Sequence, residues 1–202
     1  LVLDVFEDLM KISYLTQSFG GPHSMDERQI DFIESWEVEN YRRKMLQSQS
    51  ADADINNKIV IVTGGAQGFG AGIAEHFYNR GANIVIADIN TEQGHAFVEK
   101  TVKTGQKNHM IFVKTDVSQP DSVENLINLT VREFGGLDVF ISNAGVLRAG
   151  GLDEMDPDTF DFMTRVNYKG YFLCAKFASK ILKLQADYKK GYFTDIIQIN
   201  SK

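Results

Sequence analysis

The sequence predicts an α/β fold, a doubly wound parallel sheet preceded by an α-helical segment. From Lys58 onward, β-branched apolar runs alternate with stretches of helical periodicity. The first of these runs, 59–62, is apolar enough to be buried on both faces, as strands of a parallel sheet are. Five glycines then fall within the nine positions from Gly64 to Gly72, where the strand would turn into a helix.

Composition limits what this fold can be. The 202 residues are 43% hydrophobic, which suffices for one ordinary core. The net charge of −6 disfavours a nucleic-acid or anionic-membrane surface, and no apolar stretch is long enough to span a bilayer. The single cysteine, Cys174, excludes an internal disulfide and indicates a reducing compartment, which we expect to be cytoplasmic. His23 has no second His or Cys at ligand spacing, so no metal site is predicted.

Residues 1–50 are predicted to be a separate helical unit. Apolar positions over 2–12 could share one helix face, and the Ser-Phe-Gly-Gly-Pro run at 18–22 would end that helix. Ser24 and Glu27 have capping-box spacing for a second helix over about 25–49. The polar residues 51–57 are predicted to be a linker. Because the chain begins within a helix-like pattern and not with Met, we expect it to be a piece of a longer protein.

From residue 58 the elements follow one another in a regular order. Strands are expected at 59–62, 83–88, 109–114, 137–142 and 194–200. Helices are expected from the glycine run to Gly81, over about 91–103, over 121–134, and over about 157–188 with a weak point at Gly170.

The glycine run predicts a phosphate-binding turn. The free N–H groups and the positive dipole end of the following helix would face the phosphate, and glycines would let it approach. An ordinary tight turn is the alternative, and the spacing departs from Gly-x-Gly-x-x-Gly because Ile73 stands at the third glycine.

Asp88 supplies the second requirement of a dinucleotide site, because it lies at the tip of the next predicted strand. Its carboxylate can accept both hydroxyls of an adenosine ribose and would repel a 2′-phosphate. No Arg or Lys stands beside it before Lys100. The sequence therefore predicts NAD, not NADP.

Further candidates follow the third and fourth strands, because open α/β sheets bind ligands at the carboxyl ends of their strands. The carboxylate of Asp116 could accept the adenine amino group, or it could cap the next helix. At 143–145, small residues would let the backbone lie against a cofactor, and Asn143 could tie neighbouring strands together. An ordinary turn is the alternative there, since Asn-x-Gly is common in loops.

The chain resembles the short-chain dehydrogenase/reductase family of classical type. Thr63, Gly64, Gly68 and Gly70 fit its Thr-Gly-x-x-x-Gly-x-Gly run. The resemblance implies a Rossmann fold, an adenine contact at Asp116–Val117 and the family's Asn-Ala-Gly motif at 143–145. The cofactor-binding residues expected from the spacing and the resemblance are Gly64, Gln67, Gly68, Phe69, Gly70, Asp88, Ile89, Asp116, Val117, Asn143, Ala144 and Gly145.

The resemblance also implies two catalytic residues. Asn167 matches the helix asparagine whose backbone carbonyl holds a water in the proton relay; a polar residue facing solvent is the alternative. Ser201 matches the serine that hydrogen-bonds the substrate oxygen, and no Gly-x-Ser-x-Gly elbow marks it as a hydrolase nucleophile.

The family's acid/base tyrosine should follow the serine by about a dozen residues, with a lysine four positions later. None of the seven tyrosines has Lys at that spacing. We therefore expect the sheet to be incomplete at its C-terminal edge and this fragment to be inactive, whereas the parent would transfer a hydride between nicotinamide and a secondary alcohol or carbonyl.

Substrate and partners also come from resemblance. Residues 4–8, 18–22 and 36–41 look like the tail of a class II sugar-phosphate aldolase domain, as fused to dehydrogenases of the rhamnulose-1-phosphate aldolase/alcohol dehydrogenase type. Residues 196–202 resemble the sorbitol-6-phosphate 2-dehydrogenase branch. A sugar or polyol phosphate is the expected substrate, and the full-length protein is expected to be a homo-oligomer. The alternatives are lactaldehyde or another small hydroxy compound, a non-catalytic dinucleotide-sensing module, and an adaptor that oligomerises through residues 1–50.

Overall fold

The computed structural model describes residues 2–23, 26–29, 55–102, 106–151, 153–188, 192 and 194–200. The chain divides into two compact units, Leu1–Asp54 and Ile55–Lys202. The helix predicted over 25–49 falls almost wholly outside the described residues, and Ser201 lies outside them too.

The first unit contains one long described helix. Helix α1 spans Val2–Leu15, and a 3-10 turn over Gln17–Phe19 follows it. Gly20 ends the turn with φ +96°, a left-handed conformation that favours glycine. Apolar side chains of α1 such as Phe6 and Met10 are more than half exposed.

The second unit is built on one sheet of five parallel strands in the order β3-β2-β1-β4-β5. The strands are β1 (Ile59–Thr63), β2 (Asn83–Asp88), β3 (Met110–Lys114), β4 (Val139–Ser142) and β5 (Asp195–Gln198). The predicted doubly wound parallel sheet is thus confirmed. Because strand order reverses between β1 and β4, a crevice forms at their carboxyl ends.

Helices connect these strands. They are α2 (Gly68–Asn79), α3 (Thr91–Thr101), α4 (Pro120–Phe134), α5 (Pro157–Met163) and α6 (Gly170–Tyr188). A π-helical segment, Thr164–Lys169, joins α5 to α6. The sequence predicts a weak point at Gly170 itself, but the irregular turn lies just before it. A Cβ at Gly170 would come within 3.0 Å of Val117 Cγ2, so glycine there allows close packing on the chain after β3. No helix among the described residues is long and apolar enough to cross a membrane.

The core lies on both faces of the sheet because side chains alternate along each strand. Ile61, Val85 and Phe140 face one layer, which helices α4 and α6 complete. Val60 and Ile84 face the other layer with residues of α2 and, at its edge, α3. All five side chains are fully buried, which accounts for the near-continuous apolar runs in the sequence.

The amino ends of the strands are held by a polar cluster around Asp138, which is buried. Its Oδ2 accepts a 2.8 Å hydrogen bond from the Ile59 N–H, and its Oδ1 lies 3.2 Å from Lys58 Nζ. The Tyr192 hydroxyl donates to the same carboxylate, and Lys58 Nζ lies 4.6 Å from the centre of the Tyr192 ring. This cluster fastens β1, β4 and the chain before β5 at the edge opposite the crevice.

Candidate functional site

A cavity of about 600 Å³ opens at the carboxyl ends of the strands. Ten of the twelve predicted cofactor-binding residues line it: Gly64, Gln67, Phe69, Asp88, Ile89, Asp116, Val117, Asn143, Ala144 and Gly145. Gly68 and Gly70 do not line the cavity and act within the turn beside it. The strand-end positions that the sequence singled out therefore converge on one site.

The turn between β1 and α2 requires glycine for two different reasons. Gly64 and Gly68 have φ angles of +63° and +57°, in the region that side chains rarely adopt. Gly70 has an ordinary φ, but an added Cβ would collide with the Gly64 carbonyl oxygen and approach Asn143 Nδ2 to 2.6 Å. At Gly68 an added Cβ would meet no atom within 4 Å outside its chain neighbours and its own helix backbone, so glycine is favoured there by the φ angle alone.

The N-terminus of α2 lies beside the cavity, which Gln67 and Phe69 line, and no side chain among the described residues caps it. Its N-cap residue, Gln67, makes no side-chain capping bond, and the first turn holds no acidic residue. By contrast, the Asn90 side chain caps α3 by accepting a hydrogen bond from the Gln93 N–H. The first N–H groups of a helix have no partner within the helix, and an anion satisfies them well. The residues present therefore fit a pyrophosphate.

Asp88 is fixed at the tip of β2 by two backbone groups. Its Oδ2 accepts a 3.1 Å hydrogen bond from the Ala66 N–H in the glycine turn, and its Oδ1 accepts one of 3.0 Å from the Asn90 N–H. A carboxylate oxygen has two lone pairs, so each oxygen can still accept a second donor such as a ribose hydroxyl.

Asp116 has one carboxylate oxygen committed to a local turn. Its Oδ1 accepts a 2.9 Å hydrogen bond from the Ser118 N–H, whereas Oδ2 has no hydrogen-bond partner among the described residues. The helix-cap alternative is wrong, because Gln119 is the N-cap residue of α4. Oδ2 is the atom that could accept an amino group of a ligand.

Asn143 ties β4 to the end of β1, as the sequence predicted. Its Nδ2 group donates to the carbonyl oxygens of Thr63 and Gly64, each at 3.1 Å. An added Cβ at Gly64 would lie 2.9 Å from Ala144 Cα. The 143–145 segment and the glycine turn are therefore packed backbone to backbone.

Asn167 does not line the cavity, but its exposed side chain orders the loop that does. Its Oδ1 accepts a 2.8 Å hydrogen bond from the Val146 N–H, and its Nδ2 donates to the Val146 carbonyl at 2.8 Å. The side chain is thus exposed, as the alternative has it, and it also holds the Val146 backbone. The other predicted catalytic residue, Ser201, lies outside the described residues.

Sequence reasoning missed eight residues of the cavity wall: Ala87, Thr115, Ser118, Gln119, Val146, Phe162, Arg165 and Val166. Five of them lie within two positions of predicted strand-end residues, so their position in the sequence could have identified them. Phe162, Arg165 and Val166 come from α5 and the π-helical segment, where no strand-end signal exists. No group of three or more His, Cys, Asp or Glu side chains in the described part of the chain could hold a metal ion.

Comparison with known proteins places most of the chain in one family. The family described as short chain dehydrogenase matches residues 58–202. Tropinone reductase-like 1 of Erythroxylum coca is 38% identical over 135 residues, 65% of this chain and 48% of that protein. An uncharacterized oxidoreductase of Thermotoga maritima is 36% identical over 126 residues, 62% of this chain and 48% of that protein. The chain spans about half the length of these relatives.

Solved structures of similar proteins share the sheet. A short-chain type dehydrogenase/reductase from Mycobacterium marinum matches with a TM-score of 0.65 and 25% identity over 72% of this chain and 56% of that one. A 3-ketoacyl-(acyl-carrier-protein) reductase from Brucella melitensis, complexed with NADH, matches with a TM-score of 0.67 and 24% identity over 73% and 58%. The second likeness concerns the fold alone.

Proposed function

Because the chain belongs to the short-chain dehydrogenase family, we propose that residues 58–202 bind NAD in the cavity at the strand ends. We further propose that the whole protein is an oxidoreductase. When bound, the nicotinamide ring supplies the hydride chemistry, which protein side chains lack. The chain's own residues bind and orient that group.

One observation carries the proposal: a fixed carboxylate and an uncapped helix N-terminus share one cavity. The N-terminus of α2 takes the pyrophosphate through its free N–H groups. Asp88, one strand away, accepts the ribose hydroxyls with oxygens that the Ala66 and Asn90 N–H groups hold in place. Asp116 Oδ2 accepts the adenine amino group. These three contacts match the pyrophosphate, the ribose and the adenine of the adenosine half of a dinucleotide, in that order along the sheet edge.

We assign NAD and not NADP because of the orientation of Asp88. Its carboxylate is anchored to the turn, so it cannot swing away from a 2′-phosphate without losing two hydrogen bonds. A dianionic phosphate beside a fixed carboxylate is repelled.

For the reaction we propose transfer of a hydride to or from a secondary alcohol or carbonyl carbon. In this proposal Ser201 holds the substrate oxygen, and Asn167, whose side chain is fixed by Val146, presents its backbone carbonyl to a relay water. A sugar or polyol phosphate is the proposed substrate, supported by the resemblance of residues 196–202 and of the N-terminal segment to proteins of sugar-phosphate metabolism.

Titration of the chain with NADH and NADPH, followed by nucleotide fluorescence, tests the cofactor. We expect NADH to bind more tightly than NADPH. Asp88→Ala should lower the affinity for NADH and reduce the difference in affinity between NADH and NADPH. Asp187→Ala removes the same charge from an exposed position on α6 and should change neither affinity. Failure of the wild-type chain to bind either dinucleotide would overturn the proposal; unchanged affinities in Asp88→Ala would overturn the assignment to NAD.

A further inference from the structure

We infer that Arg165 is a further cofactor-binding residue whose guanidinium group packs against the face of the adenine base. The inference rests on the dinucleotide site proposed above. It concerns a residue that no strand-end pattern identifies and that lines the same cavity as Asp116 and Val117.

The position of Arg165 follows from how its helix packs. Gly170, at the start of α6, lies so close to the chain after β3 that an added Cβ would stand 3.0 Å from Val117 Cγ2. Val166, about one turn earlier, packs against the core cluster that contains Val117. The π-helical segment is thereby pressed against the β3 end of the cavity, and Arg165 is the exposed cavity-lining residue next to Val166.

The position of Arg165 near the end of β3 favours contact with the adenine base and not with the pyrophosphate. The phosphate-binding turn follows β1, and β3 is two strands away in the sheet. Neighbouring strands lie about 4.8 Å apart, so the two strand ends are roughly 10 Å apart. Asp116, whose Oδ2 is available for the adenine amino group, marks the same end of the cavity.

The chemistry of Arg165 also suits a flat aromatic ligand. Its guanidinium carbon lies 5.9 Å from the centre of the Phe162 ring, and Arg165 forms no ion pair with any residue that the structure describes. A guanidinium group is planar and weakly hydrated, so it stacks on aromatic faces, including nucleic-acid bases. In this arrangement Val117 and Val166 supply apolar contacts to the adenine base, and Asp116 accepts its amino group. Arg165 then packs against the face of the base.

Binding of AMP and of NADH to the chain by calorimetry tests this role. We compare Arg165→Ala and Arg165→Lys with Arg132→Ala, which removes an exposed arginine on α4 outside the cavity. Arg165→Ala should weaken both ligands roughly fivefold, in keeping with a partly exposed cation–π contact. Arg165→Lys should weaken them similarly, because an ammonium group has no planar face, whereas Arg132→Ala should bind like wild type. The ratio of NADH to NADPH affinity should stay constant in all three variants.

Two results would overturn the inference while leaving the cofactor site in place. One is wild-type affinity for AMP and NADH in Arg165→Ala. The other is full retention of affinity in Arg165→Lys together with a selective loss of NADPH in Arg165→Ala, which would mean that the charge contacts a phosphate. If the wild-type chain binds neither AMP nor NADH, the proposed function itself fails, and this inference with it. Thermal unfolding of each variant confirms that an observed loss of binding occurs in a folded chain.

Discussion

The hydroxyl of Thr63 accepts a 3.0 Å hydrogen bond from the Asn143 N–H, and the Asn143 side chain donates in return to the Thr63 carbonyl at 3.1 Å. Thr63 is fully buried, and its hydroxyl also accepts from the Ala144 N–H at 3.1 Å. These bonds continue the β1–β4 pairing beyond the last ladder pair, Val62 with Ile141. They fix the floor of the cavity.

We expect Thr63→Val to lower the free energy of unfolding by about 2 kcal/mol, because it leaves the partly buried N–H groups of Asn143 and Ala144 without their acceptor. Thr63→Ser keeps the hydroxyl and loses one methyl group, so it should cost only about 1 kcal/mol. Urea unfolding followed by circular dichroism measures both changes. Equal losses in the two variants would contradict the role given to the hydroxyl.

Two glycines of the same helix should respond in opposite ways to alanine. In Gly70→Ala the new Cβ would collide with the Gly64 carbonyl oxygen, so we expect a loss of about 3 kcal/mol in the free energy of unfolding. Gly72 has no atom within 4 Å of an added Cβ and does not have a positive φ angle. Gly72→Ala should therefore stabilise the chain by about 0.5–1 kcal/mol. Thermal unfolding of the pair checks the prediction, which a tolerated alanine at position 70 would refute.

The raised pKa of Tyr192 predicts that the free energy of unfolding depends on pH in the alkaline range. Burial, followed by the hydrogen bond to Asp138 and the charge of that carboxylate, raises the pKa of Tyr192 from 10.0 to about 12. The unfolded chain therefore loses the phenolic proton at lower pH than the folded chain does. The contribution of the protonated Tyr192 to the free energy of unfolding is complete below pH 10 and is lost as pH rises toward 12.

Tyr192→Phe should flatten the fall in stability over that pH range and cost about 1 kcal/mol at pH 7, since it removes one hydrogen bond to Asp138. Urea unfolding at a series of pH values provides the measurement. Tyr188→Phe, at a residue that is 96% exposed, is the matched control and should retain the wild-type profile. Parallel profiles for wild type and Tyr192→Phe would contradict the assignment.

We expect the thiol of Cys174 to be unreactive in the folded chain. The side chain is fully buried, and burial raises the pKa of its thiol from 9.0 to about 12. The thiolate is the reactive form, so we expect thiol reagents at pH 8 to modify Cys174 only as the chain unfolds. An exposed thiol introduced by Ser179→Cys, at an exposed position further along α6, should react within the folded chain. Rapid labelling of the wild-type chain would show that α6 opens without global unfolding.

The strands and the strand-end residues were accessible to sequence reasoning because burial leaves a direct trace in the chain. Val60 and Ile61 face opposite sides of the sheet and are both fully buried, so β1 reads as a continuous apolar run. Asp88 and Asn143 immediately follow such runs, and parallel strands bring their carboxyl ends to one edge.

The helix-borne wall of the cavity was not accessible in this way. Arg165 and Phe162 line the site beside the place where Gly170 packs on Val117, a contact between residues far apart in sequence. Helical periodicity continues through 157–188, so the sequence suggested one helix where an irregular turn interrupts it. The side-chain hydrogen bonds of Asn167 likewise depend on the Val146 backbone, 21 positions earlier.

The π-helical turn over Thr164–Lys169 limits which insertions and deletions the chain can accept during evolution. A π-helical turn accommodates one residue more than an α-helical turn, and each residue of an α-helix rotates the chain by about 100°. Deleting a single residue there would restore α-helical geometry and rotate α5 about its axis relative to α6. Phe162 would then no longer face the cavity. Diverging copies of this gene should therefore keep the length of this segment.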